Sequence, residues 1–291
     1  MIAFIVAVVF NTLLGLIFKY FSKYKVQAYP AIIINYLVCT IIGWALYHKE
    51  LLSPGFWQAD WVPYGLSLGI VFSLGFYLAS QCVAHHGMGL TSMMQKVSMI
   101  ITVLYAIIFF QESAGFIKWT GIVLATAAIV LINWNFEKTE NQEKSKLWIL
   151  VLPILVFLVN GMIDTTIFHV KSTDILNVDE GHFSTAIFSM AACLGLVAGT
   201  VLLFMRKISF TKKEVLAGII LGVPNFISIY AVLLAIETGW GGTVLFPLLN
   251  ISIIVLSTAA GYFIFAEKTG RIKILGLILA ILAIVLIASE T

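Results

Sequence analysis

Apolar residues run through this chain in long blocks, without the two-residue alternation that marks a half-buried strand. Crossing the roughly 30 Å hydrocarbon layer of a bilayer takes about 20 such residues in a helix. Ten blocks fit: 2–20, 29–47, 61–84, 89–110, 116–134, 147–168, 183–204, 214–236, 243–265 and 274–289. Short polar connections separate them, the longest being 135–146 (NFEKTENQEKSK) and 169–182 (HVKSTDILNVDEGH). A membrane β-barrel needs strands that alternate polar with apolar, and these runs are apolar throughout. The pattern therefore predicts an all-α integral membrane protein of ten transmembrane helices.

The blocks repeat. GIVLATAAIVLI at 121–132 returns as GLILAILAIVLI at 276–287, identical at eight positions, with Glu112 and Glu267 each nine residues before the opening glycine. Upstream, Gly65/Gly218, Gly69/Gly222, Tyr77/Tyr230 and Gly89/Gly242 recur at a spacing of 153. Such self-similarity reports a duplicated unit. The expected division is a five-helix repeat over 1–134, a polar connector over 135–146 and a second five-helix repeat over 147–291. Five is odd, so the second copy enters the membrane from the opposite side, which makes an inverted-topology repeat.

Composition narrows the class. Hydrophobic residues make up 61% of the chain and charged ones 11%, against about half and about a quarter in soluble domains. A soluble surface built from this composition would aggregate, so the solvent is the lipid bilayer. A net charge of +3 without a basic run argues against nucleic acid. Cys39, Cys82 and Cys193 lie in apolar segments without CxxC spacing, which argues against a disulfide framework or zinc site. His85 and His86 are adjacent and diverge on a helix, so metal is not expected, and neither is a cofactor. The N-terminal MIAFIVAVVF lacks a basic leader and reads as a retained first span. All seven tryptophans fall at or near expected span ends, as an interfacial belt requires. Connections after spans 1, 3, 5, 7 and 9 carry thirteen of the seventeen Lys/Arg. The positive-inside rule would thus put both termini outside.

The strings FFQESAGFIKWTGIVLATAAIVLI (109–132) and FIFAEKTGRIKILGLILAILAIVLI (263–287) resemble the end of an EamA domain. Two such units in one chain resemble the ten-helix branch of the drug/metabolite transporter superfamily. The resemblance implies helices 1–4 and 6–9 around a central cavity, helices 5 and 10 packed at the ends, and secondary transport of amino acids or other small metabolites, often as export. It also implies cytoplasmic termini, against the charge count. Gln111 and Ala266 precede the two glutamates where the family usually has glycine.

Ionisable groups inside a membrane cost about 2.5–3.5 kcal/mol at a helix centre, so each needs a reason. Lys96 lies about two turns inside the fourth block and reads as a cation for a substrate carboxylate or phosphate, or as a snorkelling or paired lysine. Thr91, Gln95, Ser98 and Thr102 share one face of that helix, enough to line water or to join helices. Asn160 and Asp164 share a face of the sixth block, and the corresponding face of the first carries Asn11, Gly15 and Lys19. Asp164 is a counter-ion for Lys96, a proton carrier, or a solvated span end. Asn35, Asn225 after Pro224, and Asn250 after Pro247 complete the polar set, with kinking or unwinding expected near the prolines. Tyr77 and Tyr230 hold matched positions suited to gating, ligand stacking or plain packing. The paired GxxxG motifs read as close helix contacts, and Glu112 and Glu267 as caps or ion-pair partners.

The expected function is a multi-pass secondary transporter of the bacterial inner membrane that carries a small-molecule substrate by alternating access. A proton or substrate gradient drives it, and the carrier works as a monomer or homodimer. The alternatives are a membrane enzyme with its site in 169–182 and a passive channel. Saturable counterflow separates a carrier from a pore, which gives single-channel currents.

Overall fold

The computed structural model describes residues 1–51, 58–133, 147–176, 178–266 and 270–289. The connector 135–146, Trp57, Trp134 and Glu267 lie outside the described residues. Regular structure among the described residues is helical: α1 (Ile2–Lys23), α2 (Ala28–Leu51), α3 (Val62–Val97), α4 (Met99–Phe109), α5 (Phe116–Ile132), α6 (Leu147–Ser172), α7 (Glu180–Phe204), α8 (Lys212–Ile236), α9 (Gly242–Phe265) and α10 (Arg271–Ala288). Within the described residues, 8 helical stretches are long and apolar enough to cross a membrane, and α5 is apolar but shorter. Large apolar side chains such as Phe204 (84% exposed) and Phe263 (81%) face outward, as a lipid solvent requires.

The blocks expected at 61–84 and 89–110 occupy one 48-residue apolar stretch, Val62–Phe109. Gly87 interrupts it with φ 83 and ψ 165, a conformation open only to glycine. The connection expected at 169–182 is shorter than its polarity indicates. α6 continues to Ser172 and α7 starts at Glu180, because the Asp179 carboxylate accepts from the Gly181 N–H and caps the new helix. Neither α8 nor α9 unwinds at Pro224 or Pro247, and each runs as a continuous helix.

The chain forms two compact units, each drawn from both sequence halves: Met1–Leu74 with His169–Glu237, and Gly75–Phe168 with Thr238–Thr291. In the first unit α8 packs on α1 and α2, and α7 packs on α2. Ile17 and Phe21 of α1, Ala31 of α2 and Leu221 of α8 form one apolar cluster there. Both GxxxG motifs sit in this unit at close helix contacts. A Cβ on Gly218 would lie 2.5 Å from the Ala31 carbonyl oxygen, and one on Gly222 would lie 2.6 Å from Val38. Likewise a Cβ on Gly69 would meet the Ile187 carbonyl at 2.6 Å, so α3 lies against α7. Small residues allow this approach, which gives dispersion contact where lipid supplies no hydrophobic drive.

In the second unit α5 pairs with α10, and α9 packs on α4, α5 and α10. Gly121 rests against Ile287 and Gly276 against Ile132. The glycine near the start of each helix meets the end of the other, so the two run antiparallel.

Trp61 departs from the expected interfacial belt. It is fully buried, edge-on to Phe183 with ring centroids 5.9 Å apart. Trp44 donates its indole N–H to Ser189 Oγ at 3.2 Å, joining α2 to α7. Trp119 stays 40% exposed near the start of α5.

Candidate functional site

In the second unit, Lys96 ends α3 and Asp164 lies on α6, and their opposite charges act on each other. Both side chains are half-buried. Helix α4, which follows Lys96 directly, approaches α6 closely. A Cβ on Gly161 would fall within 3.0 Å of several Ile101 atoms, and Thr102 Oγ1 meets Thr165 Oγ1 at 3.1 Å. Gln95 is half-buried beside Lys96, and its carbonyl accepts from Ser98 Oγ at 2.6 Å. Thr91 Oγ1 donates to the Gly87 carbonyl at 2.9 Å. The hydroxyls of the Thr91–Thr102 face thus spend hydrogen bonds inside the protein, on their own helix or on α6. Asn160 Nδ2 donates to the Val156 carbonyl at 2.9 Å, and buried Asn250 Nδ2 to that of Phe246 at 3.1 Å. Both bond back one turn on their own helices, which leaves their side-chain carbonyls as available acceptors.

The first unit holds a separate polar locus. Asn225 Nδ2 of α8 donates to Asn35 Oδ1 of α2 at 3.2 Å, and the Cys39 thiol donates to the Gly222 carbonyl at 3.2 Å. Asn35 is fully buried, and its Nδ2 has no partner. Asn11 Nδ2 bonds back to the Ala7 carbonyl at 2.9 Å. Tyr230 interacts electrostatically with Tyr47 of α2, and Tyr47 in turn with Asp179. Tyr77, its repeat counterpart, is 49% exposed.

Two arrangements escaped the sequence reading in whole or part. Lys171 near the end of α6 binds both Glu180 of α7 and Glu237 after α8, the latter at 2.5 Å. Lys171 and Glu180 are almost buried, with side-chain exposures of 10% and 8%, whereas Glu237 is 50% exposed. The Lys171 hydrogen bond holds the Glu237 carboxyl below its ordinary value of 4.5. The polarity of 169–182 therefore serves an interhelical ion cluster and a helix cap. The available sequence signal was Asp179-Glu180, an N-cap followed by a first-turn acid.

The second arrangement gives Glu112 its role. Its carboxylate accepts from the Gly242 N–H at 2.7 Å, the Thr243 N–H at 2.9 Å and Thr243 Oγ1 at 2.6 Å. Glu112 thus caps α9 from the far side of the α4–α5 turn, a long-range version of the helix-end role its position indicated.

Comparison with known proteins bears on the class. Residues 1–134 match the EamA-like transporter family, so that part of the chain is similar to EamA-like transporters. A relative from Haemophilus influenzae, itself described only as an uncharacterized protein, is 26% identical over 288 residues and is matched over 96% of this chain and 95% of its own. A crystal structure at 11% identity superposes with a TM-score of 0.75, covering 99% of this chain and 96% of the other, which supports the fold. With 8 helical stretches among the described residues long and apolar enough to cross a membrane, and this match over 1–134, the chain is similar to multi-pass membrane transporters of that family.

Proposed function

We propose that this EamA-like chain is a secondary carrier that moves a small polar metabolite, an amino acid or a related compound, across the bacterial inner membrane by alternating access, with export as its direction. The observation that carries the reading is the presence of Lys96 and Asp164, opposite charges that act on each other, in two helical stretches apolar enough to cross a membrane. Each ion costs about 2.5–3.5 kcal/mol to insert. A ligand that bears both a carboxylate and an ammonium can exchange partners with the pair, carboxylate to Lys96 and ammonium to Asp164. Asp164 also offers a proton-binding site, hence coupling to a proton gradient. Gln95, Asn160 and Asn250 supply hydrogen bonds in the same unit. Asn11, Asn35, Asn225 and Tyr230 supply the polar groups of the first unit, where the Asn35 amide keeps an unused donor.

The reading also takes the chain as ten crossings in two inverted repeats, 1–134 and 147–291. Val62–Phe109, at 48 residues, is long enough for two crossings of about 20 residues each, with Gly87 as the turn. Two reciprocal exchanges support inversion. Gly121 meets Ile287 while Gly276 meets Ile132, and α3 meets α7 while its counterpart α8 meets α2. Paired contacts of this form are what a two-fold relation produces. An inverted repeat gives one fold two interchangeable openings, which is the basis of alternating access.

Counterflow in proteoliposomes loaded with amino acids tests this. Lys96→Met and Asp164→Asn are expected to abolish exchange while eluting as monodisperse protein with unchanged helical content. Wild-type exchange in Lys96→Met removes the pair from the site, and single-channel currents would replace the carrier with a pore.

A further inference from the structure

We propose that the second unit holds a separate site for a phosphate-bearing amine, at the end where α5 and α9 begin. A cavity of about 370 Å³ opens there, lined by Glu112, Ser113, Lys118, Trp240 and Thr243 among others. Ligand pockets start near 300 Å³, so this one takes a headgroup-sized molecule. Lys118 is the unusual member. Its neighbours Phe116, Ile117 and Trp119 face outward at 86%, 45% and 40% exposure, while Lys118 is turned inward at 8%. A lysine at a span end ordinarily extends its ammonium to water. Here the ammonium has three donors and, among the described residues, uses one, on the Ser113 carbonyl at 3.0 Å.

The surroundings favour an anion at Lys118. The N-cap of α5, Gly115, provides no side-chain cap, so the first-turn N–H groups of that helix add their partial positive charge close to Lys118. Among the described lining residues Glu112 is the acid that opposes this, and three donors from Gly242 and Thr243 already engage its carboxylate. A carboxylate has about four lone-pair directions, so one remains, suited to an ammonium. A cation and a partly engaged carboxylate in one small cavity match a molecule carrying phosphate and amine together. Trp119 and Trp240 flank the site, and tryptophan marks headgroup depth in membranes. The same chemistry comes from a phosphatidylethanolamine headgroup or from soluble phosphoethanolamine.

Thermal unfolding of delipidated, detergent-purified protein with lysophosphatidylethanolamine in one arm and O-phosphoethanolamine in the other tests the site. Either compound is expected to raise the wild-type melting temperature: a shift with the lipid alone assigns a lipid headgroup, and a matching shift with the soluble compound assigns a solution ligand. Lys118→Gln should weaken apparent affinity by about tenfold or more, and Lys118→Arg should retain binding. Native mass spectrometry of the unmodified protein reads the adduct without relying on a variant. Absence of a shift and an adduct with both compounds overturns the site, as does equal affinity in Lys118→Gln.

Discussion

Alanine at Gly218 puts the helix contacts of the first unit to a numerical test. The new Cβ would lie 2.5 Å from the Ala31 carbonyl oxygen and 2.5 Å from Ile34 Cβ. Ordinary carbon contacts begin at about 3.5 Å, so α8 would have to retreat from α2 by roughly 1 Å. A backbone carbonyl has no rotamer with which to yield. Overpacking of this kind costs about 1–3 kcal/mol, and a gap of that size forfeits a quarter to a half of the dispersion energy along the remaining seam. The Asn225–Asn35 hydrogen bond, already 3.2 Å long, spans the same interface and would be lost. That adds about 0.6 kcal/mol, the mean for membrane interhelical bonds. The expected destabilisation is about 2–4 kcal/mol. Gly15 is the internal control, because a Cβ there meets nothing within 4 Å. Gly15→Ala should gain about 0.5–1 kcal/mol from helix propensity. Unfolding in mixed micelles by titration with sodium dodecyl sulfate, followed by circular dichroism, measures both. Equal midpoints for Gly218→Ala and Gly15→Ala would refute the close α2–α8 contact.

Glu112→Ala removes three hydrogen bonds from the start of α9 and should cost about 2–3 kcal/mol in the same titration, with an unchanged midpoint counting against the cap. Lys171→Met leaves the Glu180 carboxylate almost buried without its cation and should destabilise by about 3 kcal/mol or more, with Lys171→Met/Glu180→Gln recovering part of the loss. Glu237 sets a pH dependence. Its folded-state pKa lies below 4.5, so its contribution is present above that value and fades as pH falls through the folded value. Half-exposed, it contributes modestly, and Glu237→Gln should flatten the acid limb of the stability curve below the ordinary carboxyl value of 4.5.

The hydrophobic blocks and the close-contact glycines were readable in sequence because lipid imposes strict demands on each. An apolar run must be helical, and a close crossing must have a small residue. The GxxxG motifs therefore fall at the contacts their spacing indicated. Polar residues were harder, since a side chain on one face of a helix serves a neighbouring helix as readily as water. Thr102 shows this, bonding Thr165 across a packed contact. Trp61 looked interfacial by position but fills the interior against Phe183, a partner more than a hundred residues away. The Lys171 cluster depends on three helix ends meeting, and no local pattern announces that. Glu112 was recognisable as a helix-end residue, but the helix it caps starts 130 residues further on.

Symmetry of scaffold and asymmetry of chemistry have different consequences for a carrier. The glycines at 65, 69, 121, 218, 222 and 276 recur at matched spacings in the sequence and each lies at a close helix contact. At the spacing of 153 that relates Gly89 to Gly242, Lys96 corresponds to Leu249, an apolar residue 6% exposed. A duplicated scaffold needs equivalent packing in both copies, or its two openings would differ greatly in energy. On the proposed carrier reading its ligand needs no such duplication, because one charged site would serve one molecule from either side. The second cation would add another 2.5–3.5 kcal/mol insertion cost, of the order given for a helix centre, with no second ligand to offset it. Installing it tests the point. Leu249→Lys should misfold or lose expression, whereas Lys96→Met should fold and lose transport. The reverse pattern would mean that Lys96 serves packing and Leu249 does not.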